Sequence, residues 1–380
     1  MSDGNDTAYT GAGKRRAPGK RRAPKRVSWL RRHRIVAVFL AAFLVLGVAG
    51  AGYAAMLNGK IGNIDRIDAA QSLKDEDRPD PAPGKALNIL LLGADASGAT
   101  DGSNKGSADI TADLKADKWP SGKYRSDTMI VLHISADRKQ VYLVSIPRDS
   151  YIDIYDEKGT KKGQDKANAA FSYYGPAGAI STVENLTNLR MNHLAMIDWD
   201  GFKDLSVALG GVELYVPETF YDTSQKITWK KGYQNLQGKN ALKYVRTRHG
   251  LENGDFDRIA RQQNFIRALM KKTLSQGTMR NPVKLSNALE AVTQNLTVDD
   301  EFSNGDIKGL ALALRGISSD DVKFMTAPKG SYGTDANGGS VVNLDEIKSE
   351  ELFTAIKDDD VASYLLQYPE EALKDDKQVN

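Results

Sequence analysis

The run Tyr244-Val-Arg-Thr-Arg-His-Gly-Leu-Glu-Asn-Gly-Asp-Phe-Asp-Arg-Ile-Ala-Arg-Gln-Gln263 carries four arginines that can converge on one anion. Alternation from Tyr244 to Arg248 predicts a strand, which puts Arg246 and Arg248 on one face roughly 7 Å apart. Asp255 or Asp257 can cap a helix that runs on from about Phe256. On it Arg258 and Arg261 are three residues apart and share a face. Guanidinium forks match phosphate oxygens bidentately, so two such pairs make a clamp of pyrophosphate size. The plainer reading is a solvated basic face with surface ion pairs. A strand pair coinciding with a helix pair favours the clamp.

Hard oxygen donors stand at candidate strand ends, where open α/β sheets bind ligands. Gly93-Ala-Asp95 follows the apolar run Leu87 to Leu92. Tyr124-Arg125-Ser-Asp127-Thr128 leads into a second strand, and Ser145-Ile-Pro-Arg148-Asp149-Ser150 leaves a third. Asp95 and Asp127 could ligate magnesium, which takes one or two protein carboxylates and fills its octahedron with phosphate oxygens and water. Equally, an Asp beside Gly or Ser is an ordinary turn former. Pro147 should end its strand, leaving Arg148 set to meet an anion or to pair with Asp149. Lys166, at the opening of a helix, could meet a phosphate. The four histidines (33, 133, 193 and 249) show no metal-ligand spacing, and His133 reads as core. There is no Gly-x-Ser-x-Gly elbow and no phosphate-binding loop of the Gly-x-x-x-x-Gly-Lys type.

These residues must be positioned by a sizeable fold. The chain has 380 residues, 41% of them apolar, and no cysteine, which excludes thiolate metal sites and Cys nucleophiles. Its net charge of +3 hides an asymmetry. Residues 1–34 hold eleven Lys/Arg against Asp3 and Asp6, about +9, which leaves about −6 for the rest. Gly, Ala and Pro interleave these charges, so this arm is expected to be disordered. Residues 35–57 then run twenty-three positions without a charge, enough to span a membrane as a helix. A cleaved signal peptide competes, but the apolar run exceeds the usual length. The basic excess keeps the N-terminus cytoplasmic and places the acidic remainder outside. Attraction to anionic lipid explains the arm without nucleic acid.

Beyond the span, 58–85 reads as a Pro-rich stalk and 358–380 as a loose polar tail. Between them strands are expected at 87–92, 128–135, 141–146, 193–197, 212–216 and 322–327. Helices are expected at 168–189 (broken at Gly175-Pro176), 201–209, 259–274, 282–294, 304–315 and 344–356. Residues 94–122 read as a loop with a short helical turn. The fold class is therefore α/β, a mixed central sheet flanked by helices, preceded by one transmembrane helix.

Taken in order, the motifs resemble the LytR-CpsA-Psr family of cell-wall glycopolymer transferases. They are Asn88-Ile-Leu-Leu-Leu-Gly93-Ala-Asp95, Arg125-Ser-Asp127-Thr, Ser145-Ile-Pro-Arg148-Asp149, Lys166-Ala-Asn168-Ala-Ala, Gly210-Gly-Val212, Tyr244-Val-Arg246-Thr-Arg248 and Asp255-Phe-Asp-Arg258-Ile-Ala-Arg261-Gln262. The resemblance covers residues 86–357. It implies Mg²⁺-dependent transfer of a glycopolymer (teichoic acid, capsule or arabinogalactan) from a polyprenyl-pyrophosphate carrier to a peptidoglycan hydroxyl. It further implies that Asp95 and Asp127 hold magnesium or act in catalysis, and that Arg148 and Arg246 belong to the catalytic group. Arg125, Arg148, Lys166, Arg246, Arg248, Arg258, Arg261 and Gln262 would grip the pyrophosphate. Phe171, Leu186, Leu189, Phe265, Ile266, Leu269 and Met270 would line a lipid tunnel, although core packing would explain all seven. The chain departs from the family at Ser97, where many members carry Arg, and in the length of the 94–122 loop. The rival readings are a membrane-tethered regulator without chemistry and a pyrophosphatase whose acceptor is water.

Overall fold

The computed structural model describes residues 59–70, 73–96, 106–115, 119–223, 225–247, 255–279 and 281–379. All belong to the second of two compact units, Met56–Asn380. The basic arm and the apolar segment 35–57 lie outside the described residues. Among those described, no helix is long and apolar enough to cross a membrane.

In chain order the strands are β1 (Asp65–Ile67), β2 (Leu87–Ala96), β3 (Tyr124–Ile134), β4 (Val141–Ile146), β5 (Tyr151–Tyr155), β6 (Lys161–Lys166), β7 (His193–Asp198) and β8 (Val212–Val216). They continue with β9 (Phe220–Asp222), β10 (Ile227–Trp229), β11 (Gly232–Leu236), β12 (Leu296–Asp299), β13 (Val322–Thr326), β14 (Lys329–Thr334) and β15 (Ser340–Leu344). Seven form the central sheet in the order β1-β12-β7-β2-β3-β4-β13. β2 pairs antiparallel with β3 and parallel with β7, so the sheet is mixed as expected.

Both faces of the sheet are buried, and the strand periodicity decides which residue goes where. Leu90, Leu92, Met129, Val131, Tyr142 and Val144 pack into one apolar cluster. Ile89, Ile130, Ile134, Val141 and Leu143 pack into another. The helices that matter are α1 (Gly106–Lys115), α2 (Ala167–Thr187), α3 (Trp199–Ala208), α4 (Gly238–Arg246), α5 (Asp255–Leu274), α6 (Pro282–Thr293), α7 (Asn304–Ala313), α8 (Glu346–Lys357) and α9 (Val361–Gln367). α2 gives Phe171, Ala179, Ile180 and Val183 to the first cluster, while Ile266 and Met270 of α5 pack on the second. α2 kinks at Gly175 (φ 69°), where a Cβ would come within 2.9 Å of the Trp119 ring.

Three expectations are corrected. Tyr244 to Arg248 is not a strand: Tyr244–Arg246 ends helix α4. Ala241, Tyr244 and Val245 are its buried positions, an i, i+3, i+4 pattern that imitates alternation over a short run. The stretch read as a stalk is built into the fold. Ile64, Ile67 and Ala69 are buried, and β1 extends the sheet beside β12. Arg78 donates from Nε and Nη2 to the Glu184 carboxylate at 3.0 and 2.7 Å, and from Nη2 to the Met191 carbonyl at 2.8 Å. The C-terminal stretch is likewise docked. Val361 and Tyr364 of α9 are buried, and the Leu373 amide donates to the Phe324 carbonyl at 2.8 Å.

Candidate functional site

The site is built around an irregularity in β3. Ala94 pairs with Ser126 and Gly93 with Thr128, so Asp127 is one residue more than β2 can match. Such bulges re-aim side chains beside active sites. The strands approach closely here, since a Cβ on Gly93 would lie 2.9 Å from that of Thr128. That absence of a side chain lets β2 run past Gly93, the expected terminus, to Ala96.

Pro147 ends β4 as expected, and Arg148 turns back toward the bulge. Its Nη1 donates to Asp127 Oδ1 at 2.7 Å, and its Nε lies 3.4 Å from Asp149 Oδ2. Lys166 Nζ reaches the other Asp149 oxygen at 3.3 Å. The four side chains are about one-fifth to one-quarter exposed, so charges of alternating sign line an accessible edge. The first amides of α2 are already used: Ala167 donates to the Ser150 carbonyl and Asn168 to that of Arg148. This fixes Lys166 at the helix entrance and leaves it, rather than the helix terminus, to meet an anion.

α5 supplies the second half. Arg258 and Arg261 are 1% and 0% exposed. The Arg261 guanidinium lies between the Phe220 and Tyr244 rings, 4.7 and 4.9 Å from their centroids. Its Nε, Nη1 and Nη2 are buried, and among the described residues none meets an acceptor in hydrogen-bonding geometry. Burial pulls its pKa below the usual guanidinium value, against the pull of Tyr244, Asp257 and Asp222. Buried guanidinium donors are rarely left unsatisfied, which makes Arg261 a candidate for an anionic ligand.

Gln262 joins the halves. Its Oε1 accepts from Thr128 Oγ1, and its Nε2 donates to the Val245 carbonyl, each at 3.4 Å. Gln263, which sequence reading passes over, donates from Nε2 to Ser145 Oγ and the Met325 carbonyl at 2.8 and 2.6 Å. It thereby fixes α5 on the ends of β4 and β13. Phe220 was also missed; it carries no local signal. Arg246 is half-buried at the end of α4, and Arg125 is exposed, its Cα paired with that of Asp95. Arg248 and the Asp95 side chain lie outside the described residues.

The seven tunnel candidates do not share one place. Phe171, Leu186 and Leu189 belong to the first sheet cluster, and Ile266 and Met270 to the second. Phe265 and Leu269 pack with Val212, Trp229 and Tyr244 in a third. His133 is core, as expected.

For magnesium, no group of three His, Cys, Asp or Glu side chains among the described residues is arranged as a metal site. A partly exposed carboxylate re-aimed by a bulge still fits a cation that draws most of its ligands from phosphate and water.

A mixed sheet with both faces covered, an acid in a strand bulge and a buried guanidinium close by define an α/β domain with a charged edge. The chain belongs to the LytR_cpsA_psr family, whose model matches residues 58–358. It is 32% identical over 340 residues to the cell wall biosynthesis protein LcpA of Corynebacterium glutamicum, covering 81% of this chain and 62% of that one. It is 34% identical over 203 residues to the polyisoprenyl-teichoic acid–peptidoglycan teichoic acid transferase TagV of Bacillus subtilis, covering 52% and 49%. These matches span less than two thirds of either relative. The crystal structure of B. subtilis TagV superimposes with a TM-score of 0.57 at 25% identity, covering 73% of this chain and 98% of that one. A LytR-Csp2A-Psr enzyme from Actinomyces oris shares the fold, with a TM-score of 0.55 at 20% identity over 77% of this chain and 96% of that one.

Proposed function

We propose that this protein is a membrane-anchored enzyme that moves a glycopolymer from a polyprenyl-pyrophosphate carrier onto a peptidoglycan hydroxyl outside the cell. The observation that carries this reading is Arg261, a buried cation whose three donor nitrogens meet no acceptor in hydrogen-bonding geometry among the described residues, tied through Gln262 and Thr128 to the Asp127–Arg148 pair. The names of the B. subtilis and C. glutamicum relatives support it, and residues 35–57 would supply the anchor.

In the proposed reaction the acceptor hydroxyl oxygen forms a bond to the phosphorus that bears the glycan. The bond from that phosphorus to the bridging oxygen breaks, and polyprenyl phosphate leaves with the electron pair. Such transfers ask the protein chiefly for positioning and charge neutralisation. Arg258 and Arg261 would take the diphosphate oxygens from the α5 side. Arg148 and Lys166 would take them from the sheet edge. Magnesium, held by Asp127, would neutralise charge on the phosphate oxygens. A carboxylate that ligates metal is a poor base, so Asp127 and Asp95 would divide metal binding and proton removal between them.

The test is a transfer assay on the full chain with a lipid-linked donor and peptidoglycan acceptor. Asp127→Ala and Arg246→Ala should each abolish magnesium-dependent release of polyprenyl phosphate while leaving the protein folded. Near-normal transfer by both would refute the reading.

A further inference from the structure

We propose that a second cleft, between β5, the C-terminal end of α2 and α8, binds an uncharged oligosaccharide. The cleft holds about 630 Å³, ample for two or three pyranose rings on the scale of small-molecule sites. β5 lays down one wall by alternation. Ile152 and Ile154 are buried in the core, and Tyr151, Asp153 and Tyr155 turn to the other face. The two tyrosines are then about 13 Å apart along the strand, so their rings can underlie separate sugars of one chain. A phenol offers an apolar face to sugar C–H groups and a polar tip to hydroxyls.

Two buried polar atoms in the cleft wall point to the same ligand. Ser349 is only 6% exposed, and its Oγ has no hydrogen-bond partner among the described residues. Asp153 Oδ1 is also buried without a hydrogen-bond partner among the described residues, although Oδ2 accepts from Lys161 Nζ at 2.6 Å. A sugar hydroxyl both donates and accepts, so a chain of hydroxyls can satisfy both atoms. The amides of Asn185, Asn188 and Asn343 add neutral donors and acceptors around them.

Charge separates this cleft from the phosphate site. Among the described residues no lysine or arginine lines it, while Glu346 and Glu350 stand exposed at its edge. A polyphosphate chain would be repelled. A cationic peptide would be drawn to the rim, yet the inner groups are neutral apart from Asp153, whose charge Lys161 already meets. Leu186 also lines this cleft. Tyr151 pairs with Lys166 across the β5–β6 hairpin, so the cleft opens beside the Lys166–Asp149 contact. That the bound oligosaccharide is the acceptor strand rests on the transfer reading; binding itself does not.

The experiment uses the full chain in detergent micelles, without magnesium or lipid donor, and a neutral N-acetylglucosamine tetramer as probe. Saturation-transfer NMR should show binding that Tyr155→Ala weakens about tenfold and Tyr155→Phe leaves within about twofold, as stacking requires. The exposed Asn185→Ala should also weaken it, and serves as the reading if Tyr155→Ala lowers the melting temperature. Oligomeric glycerol phosphate should not compete. Tetramer binding unchanged in folded Tyr155→Ala and in Asn185→Ala would overturn the proposal, as would equal competition by tetralysine. Transfer activity without tetramer binding sinks the cleft alone, and tetramer binding without transfer sinks the transfer reading alone.

Discussion

Arg148 and Asp127, 21 positions apart in sequence, meet at 2.7 Å because one follows a proline-terminated strand and the other is the supernumerary residue of a bulge. The arginine therefore orients an acid as well as offering a charge. Arg148→Ala should lower turnover by tenfold to a few hundredfold, the equivalent of one charge-assisted hydrogen bond worth about 1.5–3 kcal/mol. Arg148→Lys should recover only part of it, since an ammonium cannot reproduce the fork. Steady-state transfer kinetics check both.

Arg261 should be costly to the free protein and necessary to the liganded one. Burying a charge without a paired, hydrogen-bonded partner is costly to the folded state. Arg261→Met is thus expected to raise the melting temperature by several degrees and to abolish binding of a pyrophosphate analogue. A variant that melts lower and still binds the analogue contradicts the clamp.

The Arg78–Glu184 pair makes a prediction about stability alone. The Arg78 and Glu184 side chains are 11% and 2% exposed. Burial draws the Arg78 pKa down, but the Glu184 carboxylate outweighs it and the net shift is upward. Removing one partner strands the other charge, so Arg78→Ala should cost about 3–5 kcal/mol in urea unfolding. Truncation to residue 86 should unfold the domain, because it removes β1 as well.

His133 is buried between Asn88 Oδ1 at 2.7 Å and Asp359 Oδ1 at 2.9 Å. Burial lowers its pKa, with Asp359 opposing. The unfolded chain, near the ordinary value of about 6.5, takes up the proton first. This contribution is therefore complete above about pH 6.5 and declines as pH falls below it, by at most about 1.4 kcal/mol per pH unit. Comparing His133→Gln with the parent at pH 7.5 and pH 5 isolates it; parallel losses would show that His133 plays no part.

The sequence made the central sheet legible where a strand is buried on both faces, as at Val141–Ile146, and made β8 legible from the alternation of Val212, Leu214 and Val216. Helix α5 was equally legible from its long apolar stripe. Tyr244–Arg248 was misread because five residues cannot separate a period of 2 from one of 3.6 when Tyr244 and Val245 are buried together. β1 escaped notice because three residues gain their role only from β12, over two hundred positions away. The clamp arginines of α5 could be named from spacing, whereas the Phe220 ring that flanks Arg261 could not. It arrives from a separate hairpin by tertiary packing.

The bulge in β3 has a consequence for how this site can be gained or lost. On its core side the pairing of Met129–Ile134 with β2 and β4 runs without interruption, and beyond it Ser126 and Tyr124 resume pairing with Ala94 and Ala96. Excising Asp127 would close the ladder into an ordinary strand with Tyr124 still turned to the core. The acid is thus an insertion that the sheet can lose intact. On the transfer reading, a single codon deletion would leave a stable, catalytically silent copy of the protein.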